Sequence, residues 1–210
     1  MRAGERGFVS AVWAVLRSPV PPDYRGWLRF GWLLLLLFLV QVVTGTLLSF
    51  YYQPAPLEAA LSTKSIMRDV SWGWLARGLH HGAAQGMIVL GILQLVRVTI
   101  QRSWRWPTSG SWYIGLALLA LSVVLAFTGG LLTWDHDAYW SVSRAIQRLE
   151  ALPLVGHYLA PMVRGGDEIG ATTLSRLYSM HALVLPWLVF LLVLANLWLL
   201  ARRARWRGRP

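Results

Sequence analysis

Histidine is the residue type in this sequence that is best suited to bind a metal. The 210 residues include five histidines and no cysteine, which excludes disulfides, thiolate metal sites, iron–sulfur clusters and any prosthetic group tethered through cysteine. His80 and His181 each stand near the start of a long uncharged apolar run, at about the same distance from its first residue. The chemistry of the chain therefore depends first on how its elements place these two imidazoles.

Four apolar runs are long enough to cross a membrane as helices. A bilayer core about 30 Å thick needs roughly 20 apolar residues in helical conformation. In this chain 56% of the residues are hydrophobic and only 14% are charged, so we expect an all-α membrane protein rather than a disordered or soluble chain. The predicted spans are Phe30–Tyr51, Gly78–Val96, Trp112–Trp134 and Leu177–Ala201.

The charge distribution predicts the orientation of these spans. Four spans place both termini on one side, which carries thirteen basic and two acidic residues, whereas the other side carries seven of each. Because basic residues accumulate on the cytoplasmic side, we expect both termini in the cytoplasm of a bacterium, with the spans in the plasma membrane. The formal net charge of +11 then reflects topology and contact with the lipid bilayer rather than binding of nucleic acid.

The segments outside the bundle are expected to be short cytoplasmic flanks. Residues 1–29 form an interfacial segment in this prediction, with an amphipathic helix around Phe8–Leu16 that lies on the membrane surface. Residues 30–202 hold the four-helix bundle, and residues 203–210 form a basic cytoplasmic tail.

The connection between the third and fourth spans is long for so compact a protein. Asp135–Thr173 lies outside the membrane on the far side, and a loop of this length is typical of a functional segment. Within it, Tyr139, Val142, Ile146 and Leu149 recur at helical spacing, which predicts a surface helix.

His80 and His181 are predicted to lie at nearly equal depth below the outer surface. The second and fourth spans both run inward, and each histidine stands three or four residues into its span. Two imidazoles that face each other at one depth can serve as axial ligands of an electron-transfer haem. Alternatively, each is a polar residue that is hydrogen-bonded within the bundle, although ionisable residues in membrane helices tend to be functional.

Two pairs of glycines show the same separation. Gly31 and Gly45 in the first span, like Gly115 and Gly129 in the third, are fourteen residues apart. Fourteen residues make nearly four turns, so each pair lies on one helix face about 21 Å apart. Such gaps suit a flat macrocycle between helices, but small residues also serve helix packing without any cofactor.

Four motifs carry a resemblance that covers about residues 20 to 202. They are Gln41-Val-Val-Thr-Gly45; Arg68-Asp-Val-Ser-Trp-Gly-Trp-Leu-Ala-Arg77, leading into His80; Thr133-Trp-Asp-His-Asp-Ala-Tyr-Trp140; and Arg164-Gly-Gly-Asp-Glu-Ile-Gly-Ala-Thr-Thr-Leu-Ser-Arg176, followed by His181 and Pro186. In these motifs the chain resembles cytochrome b of quinol-oxidising bc-type complexes, and most closely the short, split form of chloroplasts and many bacteria.

The resemblance implies a four-helix bundle with two b haems. His80 and His181 match the ligands of the haem nearer the outer face, and Arg77 matches a residue near its propionates. The other positions that match cofactor-binding residues are Gln41, Gly31, Gly45, Gly115 and Gly129.

The sequence departs from the family at the second pair of iron ligands. Relatives have two further histidines about four turns along the same helices, where this chain has Gln94 and Asn196. His81, His136 and His157 cannot replace them, because all three belong to the outer side in the predicted topology. Since amides are poor iron ligands beside neutral imidazole, we predict a single outer haem and no inner b haem.

Three smaller departures concern the surroundings of the haems. Leu132-Thr133-Trp134 replaces the family's Leu-Pro-Trp near the quinol site, so the fixed φ of proline is lost there. His136 stands where glutamine is common, either as a proton acceptor or simply as a solvated loop residue. Arg29 replaces the cysteine that tethers an additional haem in the chloroplast form.

The resemblance implies membrane electron transfer as the function. Relatives oxidise quinol at the outer face and pass one electron to the inner haem; without that haem a gap of about 20 Å remains. We therefore expect exchange of electrons with quinol or quinone at the outer face only.

The resemblance also implies a dimeric assembly and a Rieske iron–sulfur protein, or another periplasmic redox subunit, as partner. A companion membrane subunit is expected to complete the quinol site, because the chain stops at Pro210 without the family's Pro-Glu-Trp-Tyr motif.

Two other functional classes stay open at the level of sequence. In one, the chain is a haem-bearing, quinone-binding membrane anchor of a different multi-subunit oxidoreductase. In the other, haem is lost and the chain is a structural component of a larger complex, which the retention of His80, His181, Arg77, Gly45 and Gly129 argues against.

Overall fold

The computed structural model describes residues 25–101 and 109–207, and every regular element in these two ranges is helical. The predicted interfacial helix around Phe8–Leu16 and the last three residues of the predicted tail lie outside this part of the chain. The elements are α1 (Arg25–Ser49), α2 (Ala59–Arg68), α3 (Gly73–Ile100), α4 (Ser109–Leu131), α5 (His136–Glu150), α6 (Gly156–Arg164), α7 (Ala171–Ser179), a π-helical turn (Met180–Val184) and α8 (Leu185–Arg207).

Within residues 25–101 and 109–207, four helices are long and apolar enough to cross a membrane, which agrees with the predicted number of spans. By length and composition these spans are Phe30–Ser49, Gly73–Ile100, Ser109–Leu131 and Ala171–Leu200. The second span is longer than predicted, because α3 continues through Arg77 and Arg97, which bound the charge-free apolar run in the sequence. Long basic side chains of this kind reach the interface from inside a span.

The four long helices pack in chain order. α1 packs against α3, α3 against α4, and α4 against α8. Few side chains on the spans are buried within the isolated chain, as expected for surfaces that face lipid or neighbouring subunits. The helices that carry His80 and His181 therefore both border α4.

The predicted surface helix in the long connection is present as α5. Asp135 caps it by accepting a hydrogen bond of 2.9 Å from the backbone N–H of Ala138. Val142 and Ile146 on its apolar face are almost completely buried. They form a hydrophobic cluster with Leu131 of α4, Ala160 of α6 and Leu177 of α7, so the connection folds as a cap on the bundle.

A close approach fixes the start of α3. The short helix α2, which was not predicted from the sequence, ends four residues before α3 begins. A Cβ atom on Gly73 would lie 2.0 Å from the backbone oxygen of Ile66, so only glycine allows this junction. The contact fixes the start of the helix that carries His80, two turns before that residue.

Candidate cofactor site

The structure brings His80 and His181 together across the bundle. His80 lies in the third turn of α3 and His181 lies in the π-helical turn. Their ring centroids are 6.2 Å apart and the ring planes are inclined by 71°. Both side chains are largely shielded from solvent.

A threonine on the neighbouring helix fixes the tautomer of His80. Thr44 Oγ1 lies 2.9 Å from His80 Nδ1, and its hydroxyl also donates to the carbonyl oxygen of Val40 at 2.6 Å. A hydroxyl has only one proton to donate. Since that proton is engaged with Val40, Thr44 accepts the hydrogen bond from Nδ1–H, and the lone pair of His80 lies on Nε2.

The same arrangement repeats at His181. Thr128 Oγ1 lies 3.1 Å from His181 Nδ1 and donates to the carbonyl oxygen of Val124 at 2.9 Å. Both threonines are buried. The bundle thus contains two equivalent units, each with a Thr-Gly pair on one helix that orients a histidine on the next spanning helix, and each leaves Nε2 with a lone pair for a metal.

The two outer glycines lie directly against the histidine rings. A Cβ atom on Gly45 would be 3.0 Å from His80 Cε1, and one on Gly129 would be 2.7 Å from His181 Cε1. The second distance is shorter than real contacts allow. At the inner glycines, Gly31 and Gly115, a Cβ atom would meet no atom of the described residues within 4 Å.

Gln41 and Arg77 border the same site from different sides. The side-chain amide of Gln41 donates to the backbone oxygen of His80 at 2.9 Å, which ties α1 to α3 at this level. Arg77 lies one turn before His80, and its guanidinium contacts Met67 Sδ at 3.8 Å. In the described ranges Arg77 has no carboxylate partner, so its charge is available to an acidic group of a ligand.

The π-helical turn places His181 and Asn196 on one face. In an unbroken α-helix, positions fourteen and fifteen residues along differ by about 100° in direction. His80 and Gln94 are fourteen residues apart, whereas His181 and Asn196 are fifteen apart. A π turn takes up one additional residue, and it lies at the outer end of that interval. Gln94 and Asn196 therefore stand in equivalent positions below the two histidines.

The outer residues fit a haem. Metal–imidazole bonds of about 2 Å would place two ring centres about 6 Å apart, in agreement with the observed separation of 6.2 Å. No group of three or more His, Cys, Asp or Glu side chains occurs in the ranges 25–101 and 109–207. Two neutral imidazoles without further protein ligands suit an iron that is already held by a porphyrin.

The inner residues do not fit a haem of the same kind. Gln94 and Asn196 offer amide groups, and their side-chain oxygen atoms are buried without a hydrogen-bond partner in the described ranges, as is the hydroxyl of Ser111. Amides bind haem iron poorly in comparison with imidazole. We therefore propose no electron-transfer step at Gln94 and Asn196.

The remaining histidines stay away from the site, as their sequence positions indicate. His136 begins α5 and contacts Trp140, with ring centroids 6.2 Å apart, and His157 in α6 contacts Tyr158 at 5.4 Å. His81 is exposed next to His80. None of the three joins the pair His80 and His181.

Sequence reasoning missed the two threonines and one tyrosine. A Thr-Gly pair at both outer glycine positions was a readable signal for the threonines.

Tyr52 donates a hydrogen bond of 2.7 Å to the carbonyl oxygen of Leu132 and stacks on Tyr178, with ring centroids 5.5 Å apart. Burial, and secondarily the neighbouring Tyr178, raises the pKa of Tyr52 above its usual value.

Comparisons with known proteins agree on one family. Residues 15–204 match the family model for cytochrome b/b6/petB. The chain is 37% identical over 177 residues to cytochrome b6 of Synechococcus sp. (strain RCC307), and 37% identical over 177 residues to cytochrome b6 of Prochlorococcus marinus (strain MIT 9303); each alignment covers 84% of this chain and 81% of the relative.

A solved structure titled Hyperthermophilic respiratory Complex III has the same fold. The TM-score is 0.73 at 25% sequence identity, and the alignment covers 90% of this chain. It covers 54% of the solved chain, so the present chain spans about half the length of that relative.

Proposed function

This chain belongs to the cytochrome b/b6 family, and we propose that it is a membrane electron-transfer subunit with one b haem, bound by His80 and His181 near the outer face. The chain is a multi-pass membrane protein of the split, cytochrome b6-like form. The proposal assigns residues 30–202 to the haem-binding bundle, residues 1–29 to a cytoplasmic interfacial segment and residues 203–210 to a basic cytoplasmic tail.

The observation that carries this proposal is the paired orientation of the two histidines. Thr44 and Thr128 each hold one Nδ1–H, at 2.9 and 3.1 Å, so that each Nε2 is left to bind a metal. Such outer-shell hydrogen bonds fix the ring orientation and increase the basicity of a metal-binding histidine. A histidine that served only as a polar residue of the bundle would not need to keep the lone pair of Nε2 free of a hydrogen-bond donor.

The surrounding residues have separate roles in this proposal. Gly45 and Gly129 give the imidazoles space beside the helix backbones, and Gln41 holds α3 at the required height through the backbone oxygen of His80. Arg77 supplies a positive charge for the propionates. A b haem supplies the capacity to take up and release one electron at a time.

The proposal includes only one haem. Gln94 and Asn196 stand where two further ligands would be needed, and their amides do not suit that role. The outer and inner positions are separated by fourteen residues of helix, which corresponds to about 21 Å. Without a haem at the inner position no cofactor of this chain would bridge that gap, so we propose that electrons are exchanged with quinol or quinone at the outer face only.

The partner subunits and the membrane of this chain are proposed from its relatives. Their names describe cytochrome b6 and a respiratory Complex III, which supports a bc-type assembly of several subunits for this chain. We propose a companion membrane subunit that completes the quinol site, a Rieske iron–sulfur protein or another periplasmic redox subunit as electron partner, and a dimeric complex. The membrane is a bacterial plasma membrane in this proposal, with both termini in the cytoplasm.

The decisive experiment is to count haem in the purified complex. Extractable haem per chain, together with a reduced-minus-oxidised spectrum, should give one b-type haem per chain. His181→Ala should abolish the signal of that haem, whereas Gln94→Ala should leave it unchanged. Two haems per chain would contradict the loss of the inner haem, and none would contradict the whole proposal.

A gain-of-ligand variant provides a stricter test. Gln94→His combined with Asn196→His restores imidazoles at the two equivalent positions below His80 and His181. Since Gly31 and Gly115 are retained at this level and a Cβ atom on either would meet none of the described residues within 4 Å, the double variant should bind a second haem. Each single variant lacks one axial ligand and serves as the matched control.

A further inference from the structure

The fourth span is a continuous helix that contains a widened turn. α7, the π-helical turn and α8 follow one another without a break from Ala171 to Arg207. Before the turn, the backbone N–H of Met180 donates to the carbonyl oxygen of Arg176, four residues earlier. At its end, the N–H of Leu185 donates to the carbonyl oxygen of Met180, five residues earlier. The turn therefore accommodates one more residue than an α-helix does, and the helix continues on both sides of it.

Both halves of this helix are held in place by packing. Thr173 and Leu174, before the turn, are completely buried, and Leu185 and Val189, after the turn, are almost completely buried. Loss of the additional residue would rotate one of these packed halves by about 100° against the other. The turn thus fixes the angle between an outer and an inner half that both have their own contacts.

Pro186 directly follows the π-helical turn. Proline has no N–H to donate, and in an unbroken α-helix its ring would clash with the carbonyl group four residues earlier, which is that of Ala182 here. A local π adjustment is one way in which a membrane helix accommodates a proline. The sequence alone predicts an irregularity at Pro186 but not its form, and the structure shows that it is the addition of one residue.

The direction of His181 depends on this additional residue. In the observed register Thr128 Oγ1 lies 3.1 Å from His181 Nδ1, and Gly129 lies directly against the imidazole ring. In an unbroken helix whose inner half stayed in place, Ala182 would take the angular position of His181. The imidazole would then point about 100° away from its present direction, and it would lose its contact with Thr128.

We propose that Pro186 is a positioning residue for the haem, because it excludes the unbroken register and so keeps Nε2 of His181 directed at the haem iron. Pro186 stands five residues after His181 and acts through the backbone of the turn between them. This inference rests on the proposed function, since the direction of His181 matters for haem only if this histidine is an iron ligand. It adds a residue that binds no cofactor itself but decides whether a ligand can reach the iron.

The test replaces Pro186 by alanine and compares haem content, spectrum and the apparent Kd for haem in the purified complex. Pro186→Ala supplies an N–H that can donate to the carbonyl oxygen of Ala182, and it removes the ring that clashes there, so the unbroken register becomes accessible. We expect the apparent Kd to rise about tenfold or more, which corresponds to a ten-to-one preference for that register. Haem that stays bound through His80 alone should show a high-spin spectrum instead of the low-spin spectrum of two imidazole ligands.

Removal of one residue from the turn should rescue haem binding. In Pro186→Ala with Leu183 deleted, an unbroken helix presents His181 in its observed direction, because the additional residue is gone. The apparent Kd and the low-spin spectrum should then return to those of the unsubstituted protein. Deletion of Val184 instead of Leu183 makes the same correction and serves as a second rescue variant. Deletion of Leu183 with Pro186 retained should bind haem more weakly than the rescued variant, because the proline then stands inside an unbroken helix.

Two substitutions control for the loss of a side chain and for the loss of a proline. Leu183→Ala shortens an exposed side chain of the same turn without changing the number of residues in it. Pro161→Ala removes a proline from the interior of α6, a helix that carries neither iron ligand. Both variants should keep the apparent Kd and the spectrum of the unsubstituted protein.

The outcomes distinguish this inference from the proposed function. An unchanged Kd and an unchanged low-spin spectrum in Pro186→Ala would overturn this inference alone. Weaker binding that neither deletion restores would also contradict it, because the proline would then act by a route other than the register of the helix. An unsubstituted protein that binds no haem, or haem that is retained in His181→Ala, would overturn the proposed function and this inference with it.

Discussion

Thr44 and His80 are 36 residues apart in the sequence, and a hydrogen bond of 2.9 Å between Oγ1 and Nδ1 joins them across the interface of α1 and α3. The hydroxyl proton of Thr44 is committed to the backbone oxygen of Val40. In this contact the imidazole Nδ1–H is therefore the donor and the hydroxyl oxygen of Thr44 is the acceptor. This direction, repeated between His181 and Thr128, decides which nitrogen of each ring can bind a metal.

Thr44→Val should weaken haem binding while it preserves the shape of the side chain. Without an acceptor for Nδ1–H, the ring of His80 loses the contact that fixes its orientation. Loss of such an outer-shell partner typically reduces metal affinity about 10- to 100-fold. The measurement is a titration of haem-depleted protein with haem, followed by the absorbance of the bound form.

Two variants control for the loss of the hydroxyl group. Thr44→Ser keeps the acceptor and should restore most of the affinity. Thr46→Val removes a hydroxyl that only donates to Val42 within the same helix, so haem affinity should not change. An affinity in Thr44→Val that equals that of Thr46→Val would show that the bond to His80 has no role in haem binding.

Tyr52→Phe should destabilise the outer end of the bundle. The phenol of Tyr52 donates to the carbonyl oxygen of Leu132 at 2.7 Å, which links the end of α1 to the turn after α4. Removal of the donor leaves that carbonyl without its partner, at a cost of about 1–3 kcal/mol in the free energy of unfolding. Tyr51→Phe changes an exposed neighbour and should have little effect in the same chemical denaturation experiment.

The stability of the protein should also depend on Tyr52 at alkaline pH. Its folded-state pKa is raised by burial and by Tyr178, so above about pH 10 the unfolded chain loses this proton and the folded chain does not. Deprotonation then favours the unfolded state, and stability decreases as the pH rises. In Tyr52→Phe this part of the decrease should be absent, which a comparison of unfolding curves between pH 8 and pH 11 would reveal.

Thr173→Val should loosen the cap on the outer surface. Thr173 is completely buried; its hydroxyl donates to the backbone oxygen of Arg164 and accepts the N–H of Gly170 at 3.1 Å. Valine has nearly the same volume but leaves both backbone groups unpaired, which costs about 1–3 kcal/mol. Thr173→Ser should recover most of the melting temperature, and Thr172→Val at the exposed neighbouring position should not lower it.

The spans were predictable because charge-free apolar runs of sufficient length have few alternatives to a membrane helix. The helix over His136–Glu150 was predictable for a related reason, since Val142 and Ile146 form part of one apolar face. The short helix Ala59–Arg68 has only ten residues, too few to repeat an apolar spacing several times, and its position depends on the contact of Gly73 with Ile66.

The geometry below the histidines could not be derived from spacing alone. The difference between fourteen and fifteen residues predicts that Gln94 and Asn196 point in different directions, and only the π turn at Met180–Val184 brings them into equivalent positions. No sequence pattern predicts that π turn. The tautomer of His80 likewise depends on a tertiary contact with Thr44, which hydrophobic periodicity does not encode.

Gly129→Ala and Gly115→Ala should differ in their effect on haem binding, although they make the same change on the same face of α4. A methyl group on Gly129 would lie 2.7 Å from Cε1 of His181 and must displace the ring, whereas one on Gly115 meets no described residue within 4 Å. Overpacking of this kind typically costs about 1–3 kcal/mol. We expect Gly129→Ala to lose bound haem and shift the spectrum of any that remains, while Gly115→Ala keeps both haem content and spectrum. Equal haem loss in the two variants would show that α4 tolerates no added methyl group, and that the ring of His181 is not the cause.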